Sequence, residues 1–263
     1  MTSLSIKQKA QQYVVLTGMA LFIGLLVGVI DMIFGQGLLL IGDFRSQHWP
    51  LILFLAIAGL VIVYLYKRFG GKASKGMGLI FDVGHAREEK IPLVLVPLIM
   101  LTTWMSHLFG GSVGREGVAV QIGATLSHRF ARHIKIPDAS RIFLMTGMAA
   151  GFAGLFQTPL AATFFALEVL TVGELQLIAL YPALIASIVA SFTSHALGLE
   201  KFAVPLKETL SWTPENLIKV ALLGLAFGLA GKLFAVSLSW LKKTVAKVLP
   251  NPYIRIAVIG AGL

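Results

Sequence analysis

Long apolar stretches constrain the fold of this chain more than any other feature of its sequence. Tyr13–Phe34 contains one charged residue, Asp31, and about 20 apolar residues are enough for a helix to cross a bilayer. Of the 263 residues, 57% are hydrophobic and 13% are charged, whereas about a quarter of a soluble domain is charged. The sequence therefore predicts an all-α, polytopic membrane protein with broken and re-entrant helices.

The lengths of the apolar stretches predict the order of the membrane segments. Two full spans, Tyr13–Phe34 and Leu51–Tyr66, are expected to flank a loop at Gly35–Pro50. Lys75–Val83 is too short to cross and is predicted to be re-entrant. The later predicted helices are Ile91–Phe109, Val118 to about His133, Ile142–Phe156, Pro159–Leu170, Leu175–Leu199, Thr213–Trp240 and Ile254–Leu263.

The chain carries a net charge of +10, and the positions of its Lys and Arg residues are predicted to orient it in the bilayer. Lys and Arg lie mainly in short loops beside apolar runs, as the positive-inside rule describes, and residues 1–12 are expected to be cytoplasmic at the plasma membrane. No aromatic-and-basic pattern predicts nucleic-acid binding. The sequence has no cysteine, which excludes disulfides and thiolate metal sites, and its histidines lack metal-ligand spacing. We therefore predict no cofactor and no metal site.

A charged pair, Arg115-Glu116, lies within Gly110–Gln121 between two apolar segments. A charge near bilayer depth is costly unless it faces protein, water or a partner. The preceding glycines suit a tightly turned backbone, and the residues from Val118 onwards predict a helix start, whose N–H groups and dipole attract an anion. Transporters build ion sites from broken helices in this way. Glu116 is itself an anion and is predicted to occupy or vacate such a site.

Three ordered motifs resemble those of the CLC family of chloride channels and anion/proton antiporters. Gly114-Arg115-Glu116-Gly117-Val118 is similar to the family's Gly-Arg-Glu-Gly-Pro, with Val118 in place of Pro. Gly76-Met77-Gly78-Leu79-Ile80 is similar to Gly-Ser-Gly-Ile-Pro, with Met77 in place of Ser. Residues 154–162, followed by Glu168, are similar to the segment that contains Phe-x-x-Pro-Leu-Ala-Gly. The fluoride-exporting bacterial branch replaces the same Ser with Met or Asn, so the resemblance is closest to that branch.

This resemblance implies roles for particular residues. Glu116 is expected to be the gate that carries a proton, and no residue is expected to be catalytic. The expected anion-binding residues are Gly76, Met77, Gly78, Gly114, Arg115, Gly117 and Val118, with Ile80, Phe81 and Glu168 as weaker candidates. Val169 stands where many exchangers carry a second Glu, which places the usual internal proton relay in doubt. The implied partners are fluoride or chloride, a proton, the lipid bilayer and a second copy in a homodimer.

The family's two inverted repeats imply a division of the chain. The first repeat is expected at 13–199, a connection at 200–213, and the start of a second repeat at 214–263. The later motifs of the second repeat have no counterpart in this sequence, so we expect the chain to be a fragment of a longer protein.

Several alternatives remain open at this stage. Arg115 and Glu116 could form a structural ion pair, Met77 could fill a core, Glu168 could pair locally, and Asp31 is expected to be paired near the interface. The preferred function is a fluoride/proton antiporter, and the alternatives are a chloride channel or exchanger and a non-transporting scaffold or fragment. An enzyme is not expected, because no His-Glu-x-x-His or Gly-x-Ser-x-Gly motif is present.

Overall fold

A computed structural model describes residues 6–171, 173–201 and 211–262 of the chain, and these ranges contain helices and no strand. The all-α prediction is therefore confirmed for the described residues. Residues 1–5 of the predicted N-terminal segment and residues 202–210 of the predicted connection lie outside the described ranges.

The described residues contain ten α-helices. They are α1 (Ile6–Gln47), α2 (Leu55–Leu65), α3 (Met77–Gly84), α4 (Leu95–Leu108), α5 (Glu116–Ala131), α6 (Ala139–Phe156), α7 (Pro159–Glu168), α8 (Leu180–Ala196), α9 (Pro214–Val248) and α10 (Pro252–Gly262). A 3₁₀ segment, Trp49–Phe54, precedes α2, and one π-helical and one 3₁₀ turn connect α2 to α3.

Five helical stretches in the described ranges are long and apolar enough to cross a membrane. They are Lys7–Gln47, Trp49–Gly84, Ala139–Phe156, Leu177–Ala196 and Pro214–Val248, and α4 and α7 are shorter apolar helices. Several potential spans in one chain agree with the prediction of a polytopic membrane protein. The eight residues of α3 also confirm that the segment near Met77 forms only a short helix.

The predicted loop at Gly35–Pro50 is wrong, because α1 continues without a break to Gln47. Two glycines in this stretch, Gly35 and Gly37, are positions of close helix packing. A Cβ on Gly35 would lie 2.7 Å from a methyl group of Leu199, and one on Gly37 would lie 2.6 Å from the ring of Trp104. Glycine therefore allows the neighbours of α1 to approach the helix closely, and the helix itself is not interrupted.

The chain divides into two compact units, Met1–Lys201 and Phe202–Leu263. The boundary falls inside the predicted connection, while the inverted symmetry of the repeats stays a prediction. In the first unit, α6 is largely buried and packs against α5, α7, α8 and α1. In the second unit, the Thr213 side chain accepts a hydrogen bond from the backbone N–H of Asn216, and Pro214 follows at the first turn of α9.

The closest helix packing in the first unit joins α5 to α6 through glycines. A Cβ on Gly147 of α6 would lie 2.7 Å from the carbonyl carbon of Gly123 on α5. A Cβ on Gly151 would meet the backbone of Ala119 in the same way, and Gly147 and Gly151 are four residues apart on one face of α6. Small residues at this spacing let two membrane helices bring their backbones together. This contact with α6 fixes the position of α5, the helix that begins with Glu116.

Candidate anion site

Two helices begin at the motifs that the sequence singled out. Met77 is the first residue of α3, and the preceding Gly76 has φ +55°, a left-handed conformation that favours glycine. Glu116 is the first residue of α5, two residues before the predicted helix start at Val118. Each motif therefore supplies the turn before a helix as well as the first residues of that helix.

The N-termini of α3 and α5 lie next to each other. A Cβ on Gly117 would lie 3.7 Å from Cγ of Met77, which is ordinary van der Waals contact, so the Met77 side chain lies over the first turn of α5. Gly76 faces the Gln121 side chain, since a Cβ on Gly76 would lie 3.5 Å from Oε1 of Gln121. The fold thus joins Met77 and Gly117, which are 40 positions apart in the chain.

Each helix start presents backbone N–H groups that have no partner in their own helix. The first backbone hydrogen bond of α5 runs from Ala119 N–H to the Arg115 carbonyl at 3.1 Å, and that of α3 runs from Leu79 N–H to the Gly76 carbonyl at 3.0 Å. The N–H groups of the residues between these pairs are left free, as at any helix N-terminus. Two positive dipole ends and their free N–H groups therefore meet, which is an arrangement suited to a small anion.

The Glu116 side chain is exposed and folds back over the preceding turn. A Cβ on Gly114 would lie 2.8 Å from the carboxylate oxygen Oε2 of Glu116, so this carboxylate position depends on glycine. Arg115 turns elsewhere and places its guanidinium carbon 5.9 Å from the centre of the Phe156 ring. The ion pairs found in the described part of the chain do not include Arg115 with Glu116, which counts against a structural ion pair.

The other predicted site residues occupy different environments. Val118 and Ile80 are buried in the hydrophobic core and Phe81 packs against it, so these side chains support the two helix starts from behind. Gly78 is exposed in the first turn of α3. Glu168 is the exposed last residue of α7, a helix that packs against α6 and α8, so it is not part of the contact between α3 and α5.

Gln121 is a site residue that the sequence interpretation did not select. Its Nε2 donates a hydrogen bond to the Gly117 carbonyl at 2.8 Å, and its buried Oε1 has no hydrogen-bond partner among the described residues. The side chain therefore lies between the first turn of α5 and Gly76. Its position four residues after Gly117 on a predicted helix was the available signal, because side chains at i and i+4 lie on one face of a helix.

The prediction that Asp31 is paired near the interface is wrong. Asp31 is 0% exposed, and neither of its carboxylate oxygens has a hydrogen-bond partner among the described residues. The carboxylate lies against Gly154 of α6, where a Cβ would collide with Oδ2. The helix contact between α1 and α6 therefore encloses a polar group that makes no polar contact within the described chain.

Metal coordination is not suggested by the described residues, which contain no group of three or more His, Asp or Glu side chains suitable for a metal ion. The site consists instead of backbone N–H groups, one thioether and one exposed carboxylate. These groups can replace part of the hydration shell of an anion and exchange it for a carboxylate.

The fold and the site define a class of protein: a multi-pass helical membrane protein in which the N-termini of two short or broken helices meet beside a carboxylate. A family model described as voltage gated chloride channel matches residues 58–263. The chain belongs to this voltage gated chloride channel (CLC) family, which confirms the family predicted from its three motifs.

The relatives include proteins named for chloride and for fluoride. The chain is 37% identical over 196 residues to a "Chloride/fluoride channel protein" of Pseudomonas syringae pv. tomato. The matched region covers 74% of this chain and 43% of the relative. It is 30% identical over 162 residues to the "Voltage-gated ClC-type chloride channel ClcB" of Salmonella typhimurium. This matched region covers 61% of this chain and 35% of the relative. The chain therefore spans less than half the length of these curated relatives.

Two solved structures have the same fold. The chain resembles a crystal structure of a CLC-type fluoride/proton antiporter with a TM-score of 0.92 and 44% identity, over 99% of this chain and 65% of that one. It also resembles an X-ray structure of a slow cyanobacterial Cl⁻/H⁺ antiporter with a TM-score of 0.76 and 21% identity, over 94% of this chain and 63% of that one. The second likeness concerns the fold alone.

Proposed function

We propose that the protein to which this chain belongs is a fluoride/proton antiporter that exports fluoride across the bacterial plasma membrane. The observation that supports the proposal is the contact between Met77 and Gly117 in the first turn of α5, the helix that begins with Glu116. The likeness to a CLC-type fluoride/proton antiporter, at 44% identity over 99% of the chain, supports the same function.

The proposed mechanism exchanges an anion with a carboxylate at one pair of helix starts. When Glu116 is charged, its carboxylate competes with the anion for the free N–H groups and the positive dipole ends of α3 and α5. When Glu116 takes up a proton, it loses its charge and leaves these groups to the anion. Proton uptake and anion passage therefore alternate at one place, and the proton moves with the gate.

Met77 is proposed to set the preference among anions. A hydroxyl group at this position would donate a hydrogen bond to an anion, whereas a thioether is at most a weak acceptor. Gly76, Gly78, Gly114, Gly117 and the backbone of Arg115 and Val118 are proposed to line the same anion path. Ile80, Phe81 and Glu168 remain weaker candidates: Ile80 is buried in the hydrophobic core, Phe81 packs against the same core, and Glu168 is the exposed last residue of α7.

A chloride channel or chloride/proton exchanger is the second candidate. The ClcB relative carries the name of a chloride channel, and Val169 in this chain lacks the carboxylate that many exchangers have at that position. Met77 favours fluoride over this alternative. We also propose that the N-terminus is cytoplasmic, that residues 13–199 and 214–263 belong to two inverted repeats, and that the protein forms a homodimer.

The substitution Glu116→Gln in the full-length protein tests the proposed gate. The amide keeps the size of the side chain but cannot titrate, so fluoride-driven proton uptake should be abolished. Purified protein is reconstituted in proteoliposomes, and fluoride efflux and proton uptake are measured with electrodes and divided by the amount of protein incorporated. Intact proton uptake driven by a fluoride gradient would show that Glu116 is not the gate.

Glu215→Gln is the matched control. Glu215 is also an exposed glutamate in the first turn of an apolar helix, and it pairs only with Lys219 on the surface of α9. Such exposed pairs contribute about 0–1 kcal/mol, so this variant should retain coupled transport.

Chloride flux equal to fluoride flux in the parent protein would favour the second candidate, a chloride channel or chloride/proton exchanger.

A further inference from the structure

A basic cavity lies apart from the anion site, where three segments of the first unit come together. Its volume is about 630 Å³, and its lining includes Phe69–Lys72 after α2, Lys90–Val94 before α4, and His128, Arg129 and Arg132 at the end of α5. Four cationic side chains and no carboxylate line it: Lys72, Lys90, Arg129 and Arg132. The cavity is thus a concentration of positive charge at the ends of membrane helices.

Most of this charge is not neutralised by the protein. Lys72 donates to Glu88 at 2.5 Å, and Lys75 also donates to Glu88. These two hydrogen bonds lower the pKa of Glu88, so its carboxylate remains charged at neutral pH and remains the partner of Lys72. Lys90, Arg129 and Arg132 are exposed and form no ion pair within the described part of the chain. Three cations therefore face the cavity without an anion.

Apolar side chains line the same cavity. Phe69, Leu93 and Val94 are 54%, 45% and 38% exposed, and Ile91 and Pro92 add further apolar surface. A soluble phosphate would contact the cations but would leave this apolar lining in contact with water. An amphiphile with a phosphate at one end and hydrocarbon at the other would satisfy both parts of the cavity.

We propose that this cavity binds the headgroup of an anionic phospholipid, with the phosphate at Lys90, Arg129 and Arg132 and the start of the acyl chains along Phe69 and Leu93. Arginine presents a planar set of N–H donors that matches phosphate oxygens in pairs. Basic pockets between membrane helices on the cytoplasmic side bind anionic headgroups, and the positive-inside rule places these basic helix ends on that side. The proposal does not depend on which anion the protein transports.

The double substitution Arg129→Gln/Arg132→Gln tests this proposal. Native mass spectrometry of the full-length protein in detergent measures the binding of phosphatidylglycerol and of phosphatidylcholine. The parent protein should prefer phosphatidylglycerol, and the double variant should bind it at least about tenfold more weakly, since each basic residue contributes about 1 kcal/mol at a charged membrane surface. Equal binding of phosphatidylglycerol by the parent and the variant would overturn the proposal.

Two controls separate this site from general charge effects and from misfolding. Lys242→Gln/Lys243→Gln removes the same charge from α9, outside the cavity lining, and should leave phosphatidylglycerol binding unchanged. Arg129→Lys/Arg132→Lys keeps the charge and should retain most of the binding. An equal loss of binding in the α9 variant would refute a specific site.

Competition distinguishes a lipid from a soluble phosphate. Glycerol 3-phosphate carries the phosphate without the acyl chains and should displace phosphatidylglycerol only weakly. Displacement at equal concentrations would show that the apolar lining plays no part, and the lipid assignment would then be wrong.

Lys90→Gln, a single change in an exposed loop, should weaken binding less than the double variant and provides a second test if that variant fails to fold.

Discussion

The substitution Gly147→Ala adds one methyl group at the contact between α5 and α6, and it should destabilise the protein strongly. The added Cβ would lie 2.5 Å from Cβ of Ser127 and 2.7 Å from the carbonyl carbon of Gly123, where real Cβ atoms keep at least 3.0 Å. The helices must therefore move apart locally by at least about 0.5 Å. Because the neighbours are backbone atoms and a Cβ, no side-chain rotation can relieve the collision.

The expected magnitude follows from the cost of overpacking a closely packed interior, which is about 1–3 kcal/mol. The rigid neighbours place Gly147→Ala near the upper end, at about 3 kcal/mol. For a chain of this size, about 2–4 °C of Tm corresponds to each kcal/mol, so the Tm should fall by about 6–12 °C. The substitution should also reduce transport, because α5 begins with Glu116 and its position depends on this contact.

Thermal unfolding in detergent, followed by tryptophan fluorescence and by size-exclusion chromatography of heated samples, measures the change in Tm. Gly18→Ala in α1 is the matched control, since a Cβ at Gly18 meets nothing within 4 Å. This control should leave the Tm unchanged or raise it, because alanine is favoured over glycine in a helix by about 0.5–1 kcal/mol. Equal Tm values for the two variants would refute the argument from close packing.

Two further substitutions test the anion site and the buried carboxyl group. Met77→Ser in the full-length protein should shift transport towards chloride, because a hydroxyl donor then faces the anion, and an unchanged ratio of chloride to fluoride flux would remove Met77 from the filter. Asp31→Leu keeps the branching of the side chain with methyl groups in place of the oxygens and should leave the Tm unchanged or raise it, because both carboxylate oxygens lack a hydrogen-bond partner among the described residues. A Tm lower by more than about 5 °C, which corresponds to about 1.3–2.5 kcal/mol, would instead show that Asp31 has a partner elsewhere.

Local chemistry was enough to predict most helices, including a helix start within two residues of the observed start of α5. Apolar length predicted the membrane spans, and Thr213-Pro214 predicted the beginning of α9. The glycines before Glu116 predicted a tight turn, and the resemblance of three ordered motifs predicted the family, which the matching family model confirms. These features depend on residues that are close in sequence, so they are visible without a structure.

Long-range contacts decided what local patterns could not. Gly35–Pro50 was expected to be a loop, yet Leu199 and Trp104 pack against Gly35 and Gly37 and α1 continues as a helix to Gln47. Asp31 was expected to be paired near the interface, and its burial against Gly154 follows from the meeting of α1 and α6. A residue's conformational preference is local, whereas its burial and its partners depend on segments that lie far away in the sequence.

The anion site itself shows the same division. Sequence predicted a helix start with free N–H groups close to Glu116 and a short segment at Met77, because turn-forming glycines and helix geometry act within a few residues. Only the tertiary structure placed Met77 against Gly117 and set Gln121 between the two helix starts. The close packing of α5 on α6 fixes one of these helices in position, and that packing depends on contacts between backbones more than 20 residues apart in the chain.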